Sequence, residues 1–217
     1  SLLRNQVITD SIIGTANYDI GHYFTISTGG LAYHGVTCSP GWKAQGGTGR
    51  PIPVGDAFFV DYVCHEMGHQ MNAHHTYNQI SGNCVIGQWI SATAFEPGSG
   101  STIMSYAGIC SAANLQLNSD PHFHTGSFDE IITYTQTDSG NTCASVIATG
   151  NTPPALISGI DYSIPTETPF FLSGTGSDAN GDAITYCWEE IDTGPNGVWN
   201  MPSGNAPAFR SFLPTAD

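Results

Sequence analysis

The chain has 217 residues, enough for one full domain and part of a second. Four Lys and Arg residues stand against eighteen Asp and Glu residues, which gives a formal net charge of -14 at pH 7. This acidic balance disfavours binding to nucleic acid or to anionic lipid, and no apolar run approaches the roughly 20 residues needed to cross a membrane. Few charged residues and abundant small polar ones are typical of a secreted, extracellular bacterial protein.

The cysteines predict disulfides. They lie far apart, and no two of them are separated by only two residues, which disfavours a thiolate metal site or a redox motif. The sequence leaves the pairing open, although we expect Cys38 to pair with Cys64. The chain starts at Ser1 without a signal-peptide pattern, so a secreted protein would be in its processed form. The cysteines are Cys38, Cys64, Cys84, Cys110, Cys143 and Cys187.

The first elements can be read from apolar spacing. Residues 2–13 place apolar side chains three to four apart and precede Gly14, which predicts a helix and its stop. Residues 20–27 have the composition of a strand, and residues 29–33 predict an irregular, exposed strand. Residues 40–55 are rich in glycine, and we expect a loop there.

A longer helix follows. From 56 to 72, the apolar side chains Phe59, Val63, Met67 and Met71 recur every four positions, which predicts the buried stripe of a helix. A last helix is predicted over 127–135.

The helix 56–72 carries a motif with metal-binding chemistry. His65-Glu66-Met67-Gly68-His69 is an HExxH sequence, and its spacing places the two imidazoles one turn apart on one helical face. Glu66 follows His65 on the helix, where it can reach a metal-bound water and act as its general base. A third ligand has to come from elsewhere in the chain.

Six positions after His69 comes His75, which extends the motif to HExxHxxNxxH. This stretch resembles the metzincin zinc endopeptidases, whose pattern is HExxHxxGxxH. The resemblance implies zinc bound by His65, His69 and His75, with His74 as the competing third ligand. Asn72 stands where the family has glycine; asparagine tolerates the left-handed backbone that ends the helix, at a cost of about 1 kcal/mol.

A second part of the resemblance lies downstream. Met104 matches the methionine turn that forms a floor under the three histidines, and Tyr106 resembles the tyrosine that some metzincins use as a hinged ligand or transition-state donor. The run from 60 to 110 looks most like bacterial reprolysin-like members, and a weaker likeness spans 17–143. In that family a substrate pairs with an exposed strand above the zinc, for which the candidate residues are Gly29, Gly30, Leu31 and Ala32.

The C-terminal part of the chain differs from the rest in its composition and in its predicted elements. Residues 149–154 contain a Pro-Pro pair and have linker composition, which separates a catalytic domain at 1–148 from a region at 155–217. Short strands at 155–160, 169–173, 184–191 and 208–213 predict a partial immunoglobulin-like β-sandwich.

One turn of this region has the composition of a calcium loop. Oxygen-bearing side chains alternate at Asp178, Asn180 and Asp182, which suits either calcium or a plain turn.

The sequence therefore predicts an α+β metzincin domain that hydrolyses polypeptides through a zinc-bound water activated by Glu66. A rival from another class is a non-catalytic extracellular adhesion protein with a structural zinc site, although a structural site needs no general base beside its ligands. Family members have further strands and a helix before the region matched here, so a missing N-terminal piece of the same protein is a predicted partner.

Overall fold

The computed structural model describes residues 1–85, 87–157 and 159–216. They fall into two compact units. The first contains residues 1–144 and 188–213, and the second contains residues 145–187 and the chain after 213. The segment 188–213 therefore groups with the first unit, whereas the domain boundaries at 148 and 155 remain predictions.

The first unit has a three-stranded sheet formed by β1 (Tyr23–Thr25), β2 (Gly29–Ala32) and β3 (Gly46–Gly49). The central strand is β3, which runs parallel to β1 and antiparallel to β2. The prediction of a loop over 40–55 is therefore wrong for β3. Its Gly-Gly-Thr-Gly sequence is depleted in strand-forming side chains, but a Cβ on Gly46 would lie 2.2 Å from the Oε1 atom of Gln70. Glycine predominates in β3 because the end of the helix approaches the strand too closely for a side chain at Gly46.

The predicted long helix is present as one continuous helical segment, 56–70. It consists of α2 (Asp56–Phe58), a π-helical turn (Phe59–Cys64) and α3 (His65–Gln70). The segment stops because Asn72 adopts a left-handed backbone with φ of 76°, as the sequence predicted. The Asn72 amide donates to the His69 carbonyl at 2.8 Å, which closes the helix end.

The remaining helices flank this core. The first, α1 (Leu2–Ile12), confirms the predicted N-terminal helix, and its Gln6 side chain accepts a hydrogen bond from the Ala44 amide at 2.7 Å. The last, α4 (Thr125–Ile132), continues as a π-helical turn over Thr133–Thr137 and covers the helix predicted at 127–135.

Two short parallel strands, β4 (Tyr77–Asn78) and β5 (Glu96–Pro97), connect the region after the helix to the turn that contains Met104. One apolar cluster lies around Ala73, Ile103 and Met104. A second contains Tyr77, Ala113 and the Cys84–Cys110 disulfide. These clusters hold the ends of the loops that surround the histidines.

The expected Cys38–Cys64 pair is wrong. Cys38 bonds to Cys143, 105 positions away, because the chain after α4 returns to the loop between β2 and β3. Cys64 lies on the helix and packs instead against the cluster around Met104. The two disulfides agree with an extracellular protein. Within the described residues, no helix is both long and apolar enough to cross a membrane.

The second unit contains the antiparallel pair β6 (Ala155–Ile157) and β7 (Thr175–Ser177), with an isolated bridge between Tyr186 and Thr215. Within the described residues, the strands predicted at 169–173 and 208–213 are absent, and the latter segment belongs to the first unit. Ser158, in the strand predicted at 155–160, and Asp217 lie outside the described residues. The sheet is small and not closed, so the immunoglobulin-like sandwich remains a prediction.

Candidate metal centre

Three buried imidazoles meet at the end of the helical segment. His65 and His69 lie one turn apart on α3, and the reversal at Asn72 brings His75 to the same point. The Nε2 atom of His69 lies 3.1 Å from the Nε2 of His65 and 3.1 Å from the Nε2 of His75. The three residues form a group whose ring nitrogens are close enough to share one metal ion.

The outer nitrogens of the three rings fix their tautomers. Nδ1 of His65, His69 and His75 lies 2.8 Å from the backbone carbonyls of Ile103, Ala73 and Gln88, respectively. A carbonyl only accepts, so each Nδ1 carries the proton and each neutral ring turns an Nε2 lone pair inwards. Lone pairs at this separation repel unless a cation lies between them. Tetrahedral zinc with Zn–N bonds of about 2.05 Å spaces its nitrogens by about 3.3 Å, so the site fits that ion.

Burial keeps the rings in the form that binds metal. It lowers the pKa of His65 to about 4 and that of His75 to about 3, and it lowers the pKa of His69 well below the ordinary value. Neutral imidazole is the ligand form, so these three side chains need not release a proton to bind a cation near neutral pH.

Residues 2–76 match the family model described as metallopeptidase family M12B, reprolysin-like. The match covers about a third of the chain, contains His65, Glu66, His69 and His75, and ends before Met104. It supports a metzincin-like metallopeptidase domain of mixed helix and strand, and the family implies a metal, typically zinc. Neither the curated proteins nor the solved structures gave a match to the chain.

Glu66 is buried beside the three rings. Burial raises the pKa of its carboxyl group to about 8. The carboxyl group borders two cavities, of about 380 Å³ and 210 Å³, that meet at Glu66, Gly30 and Tyr106. A molecule bound in these cavities would therefore contact both the Glu66 carboxyl group and the histidines.

Met104 is fully buried beneath the helix. A Cβ on Gly68 would lie 2.5 Å from its sulfur, so the thioether sits directly against the helical backbone between the first two histidines. The Met104 carbonyl accepts a hydrogen bond from the Thr76 amide at 3.2 Å. The side chain of Met104 is thus packed against the helix that carries His65 and His69, and its role as the floor of the site stays a prediction.

Tyr106 lies against the same group of rings. Its ring centroid is 5.6 Å from that of His65 and 4.6 Å from that of His75. Its hydroxyl donates to the side-chain oxygen of Gln88 at 2.9 Å. The tyrosine is therefore brought to the site, with its hydroxyl held by a neighbouring loop.

The candidate substrate strand is the exposed edge strand β2. Its residues Gly29, Gly30 and Leu31 line the cavities next to Glu66, and Ala32 lines the smaller one. One side of β2 pairs with β3, so its other edge leaves backbone groups without strand partners among the described residues.

His74, the competing third ligand, points elsewhere. Its Nδ1 lies 2.7 Å from Glu130 Oε1, and its ring stacks on His34 at a centroid distance of 4.6 Å. The Glu130 carboxylate accepts a hydrogen bond from this ring and so raises the pKa of His74. The imidazole of His74 is therefore held by Glu130 on α4. The group of three histidines that could share a metal ion contains His75 instead.

The sequence reasoning missed several residues of this site. Gln88 orients His75 through its carbonyl and Tyr106 through its side chain, and it lies in a loop without a periodic pattern. The larger cavity is also lined by Arg50 and Asp61, which no motif singled out. Asp61 lies on the predicted helix, and burial raises the pKa of its carboxyl group. A charged residue on the half-buried face of that helix was the sequence signal that could have identified it.

The residues predicted for calcium lie in the second unit. Asp178 Oδ1 accepts hydrogen bonds from the backbone amides of Asn180 and Asp182 at 2.8 and 3.1 Å. This is the turn that the sequence offered as the alternative, and the side chain already satisfies two backbone donors. Calcium has no support from this geometry.

Proposed function

We propose that the chain is a secreted zinc-dependent endopeptidase, with His65, His69 and His75 as the zinc ligands and Glu66 as the catalytic base. The observation that carries the proposal is the arrangement of the three rings. Each is held by a backbone carbonyl so that its Nε2 lone pair points at a common centre, beside a buried carboxyl group. A structural zinc site has no use for that carboxyl group and usually fills its fourth position with protein.

When bound by these rings, zinc supplies Lewis-acid polarisation of a peptide carbonyl and acidification of the attacking water. A cation held by the three rings favours the ionised form of the neighbouring Glu66, in spite of its burial. The Glu66 carboxylate then takes the proton of that water as it attacks and delivers it to the departing amine nitrogen. One side chain therefore serves as base and then as acid. The Tyr106 hydroxyl, next to the same centre, donates a hydrogen bond to the oxygen that becomes negatively charged.

Residues Gly29, Gly30, Leu31 and Ala32 bind the substrate. The outer edge of β2 offers backbone donors and acceptors, and an extended peptide laid along it forms strand hydrogen bonds that hold the scissile bond over the histidines. The cavity of about 380 Å³, between Glu66 and the loop that carries Ile109, receives a side chain next to the cleaved bond. A polypeptide is the substrate class that this edge suits.

The decisive experiment compares Glu66→Gln with the wild type. We expect the variant to keep its zinc and to cleave a quenched peptide or casein about 10²- to 10⁴-fold more slowly, because the base is lost while the ligands remain. Glu167→Gln, a matched change at an exposed residue of the second unit, should cleave at the wild-type rate. A chelator should stop wild-type cleavage, and added zinc should restore it.

Two outcomes would contradict the proposal. Full cleavage by Glu66→Gln would remove the glutamate from the reaction. Zinc bound in the wild type without chelator-sensitive cleavage of any peptide would favour the adhesion protein with a structural zinc site.

A further inference from the structure

A second buried carboxylate lies behind the histidines. Glu96, the first residue of β5, is 1% exposed. Its Oε2 accepts hydrogen bonds from the Ser101 amide at 2.7 Å and from the Thr102 amide at 3.1 Å. Its Oε1 accepts from the hydroxyls of Thr76 and Thr102, each at 2.5 Å. Every one of these contacts satisfies the carboxylate at a place without access to water.

The donors belong to the two segments that present the ligands. Thr76 directly follows His75. Ser101 and Thr102 directly precede Ile103, whose carbonyl accepts from Nδ1 of His65. Glu96 therefore joins the segment that carries the third ligand to the segment that orients the first.

The backbone around Glu96 is shaped to enclose this carboxylate. Gly100 has a left-handed backbone with φ of 67°, and a Cβ there would stand 3.0 Å from Glu96 Oε1 and 2.5 Å from the Cβ of Ser105. The turn can wrap so tightly around the carboxylate only because this residue is glycine. The two amides that it turns inwards need an acceptor, which Glu96 supplies.

We propose that Glu96 is a positioning residue of the metal site, which fixes the distance between the His75 segment and the turn that holds His65 and Met104. The proposal rests on the zinc site described above and extends it to a residue outside the ligand set. Without the carboxylate, two backbone amides and three hydroxyls lose their common acceptor, and the carbonyl of Ile103 is free to shift. The ring of His65 then loses its fixed orientation, and zinc binds in a looser geometry.

The test uses the full chain and two substitutions, Glu96→Ala and Glu96→Gln. Zinc affinity is measured by competition with a chelator, and ligand geometry by the visible absorption of the cobalt-substituted protein. We expect Glu96→Ala to weaken zinc binding about 10- to 100-fold and to change the cobalt spectrum. Glu96→Gln should recover part of both, because its amide oxygen still accepts from the Ser101 and Thr102 amides.

Glu190→Gln is the matched control. Its Oε2 accepts from two successive backbone amides, those of Ala208 and Phe209, at 2.8 and 2.7 Å. It therefore makes the same kind of bond within the segment 188–213. Zinc affinity and the cobalt spectrum should stay at their wild-type values in this variant, which separates positioning of the site from the loss of a carboxylate acceptor elsewhere in the first unit.

The outcomes distinguish this proposal from the proposed function. A wild-type chain that fails to bind zinc overturns the function itself. Wild-type zinc binding together with an unchanged affinity and spectrum in folded Glu96→Ala overturns only the role of Glu96. If Glu96→Ala does not fold by circular dichroism, Glu96→Gln and Thr76→Val decide, and wild-type behaviour of both overturns the role.

Discussion

Gly30 lies directly against the carboxyl group of Glu66. A Cβ added to Gly30 would stand 2.2 Å from Oε1 of Glu66 and 2.6 Å from its Cδ, far inside contact distance. The edge strand and the proposed base therefore share a space that only glycine leaves open.

Gly30→Ala should displace the Glu66 carboxylate while leaving the three histidines in place. We expect kcat/KM for a quenched peptide to fall about 100-fold, because a shift of about 1 Å in a catalytic group has effects of this size. Zinc content, measured by metal analysis, should not change. Gly197→Ala, where an added Cβ would meet no other residue within 4 Å, is the matched control and should cleave at the wild-type rate. Wild-type turnover by Gly30→Ala would show that Glu66 does not need its present position.

Asn72 ends the helix that carries His65 and His69, and its positive φ is a backbone conformation that residues other than glycine adopt at a cost. Asn72→Ala should lower the free energy of unfolding by about 1 kcal/mol, whereas Asn72→Gly should leave it equal or higher. Urea unfolding in the presence of a chelator measures this without a contribution from bound metal. Equal stability of the alanine and glycine variants would mean that the backbone strain at this position is negligible.

The Cys38–Cys143 disulfide closes a loop of 105 positions, and the Cys84–Cys110 disulfide closes one of 26. The chain-entropy relation gives about 4.8 kcal/mol for the first and about 3.5 kcal/mol for the second. We expect the double change Cys38→Ser with Cys143→Ser to lower the free energy of unfolding by roughly 2–5 kcal/mol, and by more than the corresponding change in the second pair. Urea unfolding curves of both variants check the order, and the reverse order would contradict it.

The segment 188–213 is joined to the body of the first unit by His122 and Glu189, whose Nε2 and Oε1 atoms lie 3.4 Å apart. The Glu189 carboxylate raises the pKa of His122 above its ordinary 6.5. Burial opposes ionisation of Glu189, but the neighbouring His122 lowers the pKa of this carboxyl group.

A raised histidine pKa stabilises the folded state fully below 6.5 and ceases to do so as the pH rises through the folded-state value. A lowered carboxyl pKa acts in the other direction, and its contribution is lost as the pH falls below 4.5. Both groups are charged in the folded state between pH 4.5 and the raised pKa of His122, so the stability difference between wild type and His122→Gln should be largest there. The difference should shrink at lower and at higher pH. Urea unfolding midpoints of both proteins across a pH series measure this difference. A difference that does not change with pH would contradict an ion pair between His122 and Glu189.

Much of the site could be predicted because its spacing is local. The recurrence of Phe59, Val63, Met67 and Met71 identified the helix, and the four-residue interval between His65 and His69 placed both rings on one face. The left-handed turn at Asn72 followed from the six-residue interval to His75. Each of these inferences depends on neighbours within two helical turns.

The errors share a different cause. The glycine strand β3 lacks side chains with strand preference, and it forms because β1, β2 and the helix end require a thin strand between them. The partner of Cys38 depends on where the chain after the last helix returns.

The sequence by itself determined that the imidazoles of His65 and His69 share one face and that the carboxyl group of Glu66 lies beside them, because one helix fixes those positions. It left His74 and His75 as alternatives for the third ring. Only the tertiary structure decided the carbonyls that orient the rings, the contact of Gly30 with Glu66 and the buried anchor at Glu96. Several of those contacts join distant segments, such as His75 with Gln88, 13 positions away, and His65 with Ile103, 38 positions away. Their pairing is set by how the whole core packs, and no periodic pattern in the chain records it.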